Sequence, residues 1–232
     1  MKVVLFCGGL GMRLREYSES VPKPMVPIGY RPILWHIMKY YAFHGHKDFI
    51  LCLGWRADVV KQYFLRYDEC LSNDFVLTSG GREIDLLNRD IDDWSISFID
   101  TGTHALIGER LLAVRQHLAG EEMFLANYTD GLSDLDLTAM IEAFRRQETV
   151  ATFASVRPSS TFHAVRLNGD DLVDDIRPID ESDIWMNGGF FCFRQAIFDH
   201  IRPGEDLVDA PFRRLAAASK LSTFRHDGFW GC

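Results

Sequence analysis

Apolar residues fall along the chain in two alternating textures. Residues 3–6 form a short β-branched and aromatic run that ends in glycines, the pattern of a buried strand entering a tight loop. Beyond Pro32, the residues Ile33, Leu34, Ile37, Met38 and Tyr41 recur at helical spacing, and the proline suits the start of that helix. Residues 48–53 read as a second buried strand, and Val59, Val60, Tyr63 and Phe64 mark a second helix. Strands are then expected at 95–99 and 123–126, with helices near 111–118 and 137–144. From Val150 the texture changes. Short strands are expected at 152–156, 164–167 and 190–193, with helices near 196–201 and 210–218. Alternating strands and helices imply an α/β fold, a mainly parallel sheet covered by helices on both faces. No repeat, low-complexity tract or linker interrupts it, so one domain over 1–232 is expected, a length that single α/β domains reach.

Composition adds exclusions. The chain is 47% hydrophobic and 25% charged, ordinary for a globular protein. Its net charge of −8 argues against broad nucleic-acid binding, which needs a positive field, but leaves room for a small anionic ligand. The cysteines are Cys7, Cys52, Cys70, Cys192 and Cys232. An odd count with no close pair suggests neither a disulfide framework nor a zinc ribbon. Cys7 and Cys52 sit in apolar runs and read as buried thiols, which fits a reducing compartment. Lys2 precedes a short apolar run, but Gly8-Gly9 ends it well before a signal core or membrane span is complete. No membrane association and a cytoplasmic location are therefore expected.

Ligands of open α/β sheets bind beyond the carboxyl ends of the strands, which directs attention to the segments after Phe6, Leu53, Ile99 and Ala126. The first reads Cys7-Gly8-Gly9-Leu10-Gly11-Met12-Arg13-Leu14. Three glycines in four positions let the backbone approach a ligand and turn its N–H groups toward it, and Arg13 adds a cation that can fork onto phosphate oxygens. This resembles a phosphate and nucleobase cradle, with a plain strand-to-loop turn as the alternative. It is neither the dinucleotide fingerprint nor a P-loop: Leu14 stands at the third-glycine position and no Gly-Lys-Ser/Thr follows. Further on, Pro22 and Pro24 stiffen the backbone around Lys23 and are expected to keep it out of helix. Lys23 is then either a phosphate contact or a solvated turn lysine.

Taken together, Gly8 to Leu14 and Pro22-Lys23-Pro24-Met25-Val26 resemble the signature of sugar-1-phosphate nucleotidyltransferases. The run from Pro32 to Tyr40, Lys47-Asp48-Phe49-Ile50, Asp100-Thr101-Gly102 and Asn187-Gly188-Gly189-Phe190-Phe191 are similar to the glucose-1-phosphate cytidylyltransferase branch. The resemblance implies a Rossmann-like, doubly wound sheet with a smaller sugar-binding β portion. It implies Mg²⁺, a nucleoside triphosphate (CTP favoured over UTP or dTTP), a sugar 1-phosphate and a homo-oligomer. It also implies residue roles. Arg13 and Lys23 match catalytic cations, Arg13 at the leaving pyrophosphate and Lys23 at the α-phosphate or the attacking phosphate. Gly8, Gly9, Leu10, Gly11, Met12, Arg110 and Thr129 fall at nucleotide-binding positions. Arg177, Asn187 and Gly188 fall on the sugar-phosphate side, and Asp130 matches a metal-binding aspartate. Such a reaction needs no protein nucleophile, because the attacking phosphate is already an anion. It needs positioned cations, a metal and a carboxylate to hold the metal.

Several positions depart from the family pattern. Met12 replaces a threonine and Thr129 a glycine, and Ala105 stands where a hydroxyl residue is usual. Ile176-Arg177-Pro178 replaces Glu-Lys-Pro, which removes a carboxylate for sugar hydroxyls and keeps a cation. His163 replaces a glycine. These changes imply an acceptor other than glucose 1-phosphate, or glucose 1-phosphate as a poor one. The family pattern continues past Gly-Phe-Trp with a second metal-binding aspartate, whereas Gly228-Phe229-Trp230 is followed here by Gly231-Cys232. That C-terminal part is absent from 1–232, so Asp130 is expected to hold Mg²⁺ with water and triphosphate oxygens alone. Two other readings stay open: a glycosyltransferase using Asp134-Leu135-Asp136 as an acidic metal motif, and a non-catalytic nucleotide or nucleotide-sugar binding protein.

Overall fold

The computed structural model describes residues 1–9, 21–158 and 161–232. In chain order the elements are β1 (Lys2–Phe6), β2 (Pro27–Ile28), β3 (Arg31–Pro32), α1 (Ile33–Phe43), β4 (Asp48–Leu53), α2 (Ala57–Leu65), β5 (Phe75–Thr78), β6 (Glu83–Leu86) and β7 (Ser95–Asp100). They continue with α3 (Ile107–Ala113), β8 (Met123–Tyr128), β9 (Leu132–Ser133), α4 (Leu137–Arg145), β10 (Ala151–Val156) and β11 (His163–Leu167). Last come β12 (Val173–Pro178), β13 (Met186–Arg194), α5 (Ala210–Ala217), β14 (Leu221–His226) and β15 (Trp230–Gly231).

Seven strands form the central sheet in the order β14-β10-β13-β8-β1-β4-β7. All neighbours are parallel except β13, which runs against both β8 and β10. The period-2 alternation of a strand sends successive side chains to opposite faces. Val3 and Leu5 of β1 accordingly join one core with Leu34 and Met38 of α1 and Met140 of α4. Val4 and Phe6 join the other core with Leu111 of α3 and Leu215 of α5. This is a doubly wound, Rossmann-like sheet, as expected. The sheet is mainly parallel, also as expected, with β13 antiparallel to both its neighbours. Being antiparallel, β13 begins at the rim where its neighbours end, which brings Asn187 opposite Ser155 and Phe190 opposite Asn127.

Other differences have local causes. Gln195–His200 is a 3-10 helix where a regular helix was expected. Lys23 is not held out of helical geometry: Lys23–Met25 forms one 3-10 turn behind an extended Pro22, a place where Pro24 needs no N–H. The small β portion is the hairpin β11–β12, and a second hairpin, β5–β6, was not foreseen. Both carry apolar residues in the open, among them Leu77, Ile84, Val165 and Ile176, so neither strand pair shows the buried pattern that marks a core strand. Trp94 packs on Phe49, and Trp230 donates to the Gly188 carbonyl at 2.8 Å, so both anchor the fold.

The long passage from α2 to β7 is fastened by Arg31, which is 1% exposed. Its guanidinium donates to the Asp68 carbonyl at 2.7 Å and to Tyr63 at 3.3 Å, bonds Ser72, and lies 4.2 Å from the Tyr67 ring centroid. Asp90 completes the cluster, accepting from Lys39 at 3.0 Å and Tyr67 at 2.9 Å. A buried cation of this kind tolerates no loss of its partners, because the groups left behind are desolvated and unpaired. Arg31→Ala should lower unfolding stability by about 3 kcal/mol, read from urea titration.

A second clamp joins α5 to the loop before it. Glu205 accepts from both Arg214 terminal nitrogens, one at 2.9 Å, and from the Arg202 N–H at 3.0 Å. The Arg214 hydrogen bonds, against a smaller opposing effect of burial, hold the Glu205 carboxyl down from its ordinary 4.5 to about 2. A carboxylate more acidic in the folded chain than in the unfolded one stabilises above its unfolded value and loses that contribution as pH falls. The thermal midpoint should therefore fall from about pH 4.5 toward pH 2 more steeply in the wild type than in Glu205→Gln, measured by circular dichroism.

Candidate active site

Three strand ends converge on one cleft of ≈680 Å³. Phe6 to Gly9 arrive from β1, Tyr128 to Asp130 from β8, and the segment from Thr103 to Ile107 follows β7; Lys23, Pro24, Asp206 and Val208 complete the lining. The position obeys the rule that ligands of open parallel sheets sit beyond the strand carboxyl ends.

Beneath this floor lies Arg110, 1% exposed. One terminal nitrogen donates to the Leu53 carbonyl at 3.1 Å and to Thr101 Oγ1 at 2.7 Å, and the other donates to the Thr103 carbonyl at 3.3 Å. Arg110 thus ties the end of β4 to the loop after β7. The guanidinium fits only because Gly8 and Gly54 have no side chains: a Cβ on Gly8 would stand 2.0 Å from it, and one on Gly54 3.0 Å. Burial lowers the Arg110 pKa from its ordinary value, yet an arginine has enough margin to stay charged at neutral pH. The sequence expectation had placed Arg110 at the nucleotide; it lies behind the glycine backbone and supports that loop from below. Burial also raises the Cys7 and Cys52 thiols, Cys52 to about 12, so both are inert buried groups.

Lys23 and Asp130, 107 residues apart, meet with Nζ and Oδ2 at 3.4 Å. Both side chains keep exposure to the cleft, 25% and 46%. Thr129 lines the cleft, and its hydroxyl donates to the Phe6 carbonyl at 2.9 Å, tying β8 to β1. Asn187 Oδ1 accepts from the Gly189 N–H at 2.9 Å, and Gly188 packs where a Cβ would come within 2.9 Å of Val156. Arg177 lies on the β11–β12 hairpin in an ion pair with Asp175. Arg177, Asn187 and Gly188 are thus not among the described residues that line the cleft, whereas Gly8, Gly9, Lys23, Thr129 and Asp130 are. Leu10, Gly11, Met12 and Arg13 lie outside the described residues. The cleft residues Thr103, His104, Leu106, Ile107, Asp206 and Val208 were not assigned from the sequence, because no motif marks them.

The acidic run 134–136 is committed to structure. Asp134 Oδ1 lies 3.0 Å from His226 Nε2, and Asp136 caps α4 by accepting from the Ala139 N–H at 3.0 Å. That arrangement removes the sequence basis for a glycosyltransferase metal motif. Among the described residues no group of three or more His, Cys, Asp or Glu side chains could cage a metal, and no helix is long and apolar enough to cross a membrane. A single half-exposed carboxylate lining a cleft of this size does fit Mg²⁺, which takes one or two carboxylates and fills its other positions with water and substrate phosphates.

Comparison with known proteins agrees with this geometry. A family model described as Nucleotidyl transferase matches residues 2–230. The chain is 36% identical over 232 residues to a probable glucose-1-phosphate cytidylyltransferase of Bacillus subtilis, covering 99% of this chain and 90% of the relative. It is 35% identical over 231 residues to the glucose-1-phosphate cytidylyltransferase of Salmonella typhimurium, with the same coverage. Among solved structures, HddC from Yersinia pseudotuberculosis superimposes with a TM-score of 0.65 at 19% identity, over 99% of this chain and 92% of that one. A UDP-glucose pyrophosphorylase complexed with UDP-glucose gives 0.68 at 15% identity, over 99% and 91%. These two likenesses establish the shared fold, and with the match across almost every residue the chain belongs to the nucleotidyl transferase family.

Proposed function

We propose that this protein transfers a nucleotidyl group, cytidylyl by preference, from a nucleoside triphosphate to the phosphate of a sugar 1-phosphate or related acceptor. An acceptor phosphate oxygen attacks the α-phosphorus, the bond to the bridging oxygen breaks, and pyrophosphate leaves with the electron pair. The observation that carries this reading is the Lys23–Asp130 pair at the mouth of the glycine loop. Both substrates are anions that repel one another, and catalysis of such a transfer is chiefly positioning and charge neutralisation. Lys23 offers an ammonium to the reacting phosphates. Asp130 is the residue we assign to Mg²⁺, which when bound supplies positive charge at the phosphoryl groups. Gly8 and Gly9 bring backbone close to the triphosphate, and Arg13 is assigned to the leaving pyrophosphate. CTP as donor rests on the names of the similar proteins. A cytoplasmic location and a homo-oligomer belong to the same reading.

The test is pyrophosphate release across nucleoside triphosphates and phosphorylated acceptors with Mg²⁺. Turnover should appear with CTP. Binding without turnover on any acceptor would favour a non-catalytic nucleotide-binding protein. Lys23→Ala and Arg13→Ala should each lower turnover by about a hundredfold or more, the scale of losing one preorganised charge contact, while circular dichroism stays unchanged. Gly8→Ala forces a methyl group against a guanidinium held by three hydrogen bonds. It should lower stability by roughly 1–3 kcal/mol and weaken CTP binding in calorimetry. Unchanged CTP affinity in a folded Gly8→Ala variant would detach this loop from the triphosphate.

A further inference from the structure

Asp206 faces the same cleft as Lys23 and Asp130. It sits in the loop between the 3-10 helix Gln195–His200 and α5, and that loop is held by several contacts. Glu109 accepts with one oxygen from the Gly204 N–H at 3.2 Å and with the other from the Leu106 N–H at 2.8 Å, so a single side chain joins two walls of the cleft. Gly108 lets the Glu205 carbonyl come within 2.4 Å of where a Cβ would be. Glu205 is clamped to Arg214, and Leu207 is fully buried in the core. Asp206 itself accepts from the Val208 N–H at 3.2 Å through Oδ1. Among the described residues no cation pairs with its carboxylate.

The neighbourhood is polar as well as fixed. Tyr128 lies over Gly189, where a Cβ would come within 2.6 Å of its ring. Burial first, and then the nearby Asp206 carboxylate, raise the Tyr128 hydroxyl well above its ordinary value, while a hydrogen bond with Asn187 opposes them. A preorganised, unpaired carboxylate in a cleft suited to phosphates repels those phosphates, unless it meets a different part of the ligand. An ionised carboxylate is an acceptor with two oxygens, which matches the adjacent hydroxyls of a sugar ring. The position that carries a carboxylate in the pattern this sequence resembles is Ile176 here, exposed on the β11–β12 hairpin opposite Val165.

We infer that Asp206 is a specificity-determining residue whose carboxylate accepts hydrogen bonds from the hydroxyls of a bound sugar ring, and that Glu109 positions it. The inference rests on the proposed transfer reaction. The ring is either the ribose of the triphosphate or that of the phosphorylated acceptor, and the chemistry is the same for both. The experiment compares wild type with Asp206→Asn, which keeps an oxygen for the Val208 N–H. Steady-state pyrophosphate release is measured with varied CTP and varied acceptor, together with calorimetric binding of CTP and of 2′- and 3′-deoxy-CTP. Asp206→Asn should raise KM for one substrate about tenfold or more, with kcat within about threefold, the scale of a hydrogen bond to a charged group. The deoxy analogue of that same substrate should lose affinity in the wild type and lose nothing further in the variant. A loss confined to CTP and its deoxy forms assigns the ribose; one confined to the acceptor and its deoxy forms assigns the acceptor ring. Unchanged KM for both substrates, additive losses with the deoxy analogues, or rescue by raised Mg²⁺ each overturn the inference, the last by making Asp206 a metal ligand. A wild type that releases no pyrophosphate refutes the transfer reading instead, and the CTP and deoxy-CTP calorimetry still tests Asp206.

Discussion

The site depends on one buried cation. Arg110 places a guanidinium under the carboxyl end of the sheet, where water does not reach, and a charge in that position must be surrounded by oxygen. The Leu53 and Thr103 carbonyls and the Thr101 hydroxyl supply it. Because these oxygens belong to different strand ends, satisfying the charge also fixes the loops relative to one another. The cost of breaking any one bond is the desolvation of a partner left unpaired, so the three act as a unit. Gly8 and Gly54 follow from the same constraint, since any side chain there would occupy the guanidinium's space.

On that base the cleft is assembled from distant parts of the chain. The parallel pairing of β1 with β8 brings the Gly8-Gly9 loop beside Asp130, and the Thr129 hydroxyl holds the two strand ends together. Lys23 reaches Asp130 from a 3-10 turn 107 residues earlier in the sequence. The reversed strand β13 is what brings Asn187 and Gly188 to the rim, because an antiparallel strand starts where its parallel neighbours stop. Glu109 then spans from the start of α3 to Gly204, joining the segment before α3 to the loop that carries Asp206. Rigid walls of this kind lower the reorganisation needed when charge develops on a transferring phosphoryl group.

The sequence by itself determined the periodic elements and the local chemistry. The helices α1, α2 and α4 and the strands β1, β4, β8 and β10 were legible because a buried face imposes a period of 3.6 or 2 on apolar residues. The Gly8-Gly9 turn, Lys23 between two prolines and Asp130 after a buried strand stood out by residue type and local spacing, and all of them line the cleft. The hairpin β5–β6 escaped notice because exposed apolar residues on both strands blur the alternation that burial would enforce. Only the tertiary structure decided what the polar residues do. Arg110, Thr129 and Asp134 look alike in sequence as available polar groups, yet each bonds partners between 7 and 123 residues away. Asp206, in an unmarked loop, keeps its carboxylate in the cleft. Strand direction and side-chain satisfaction depend on which segments become neighbours, and no local spacing encodes that.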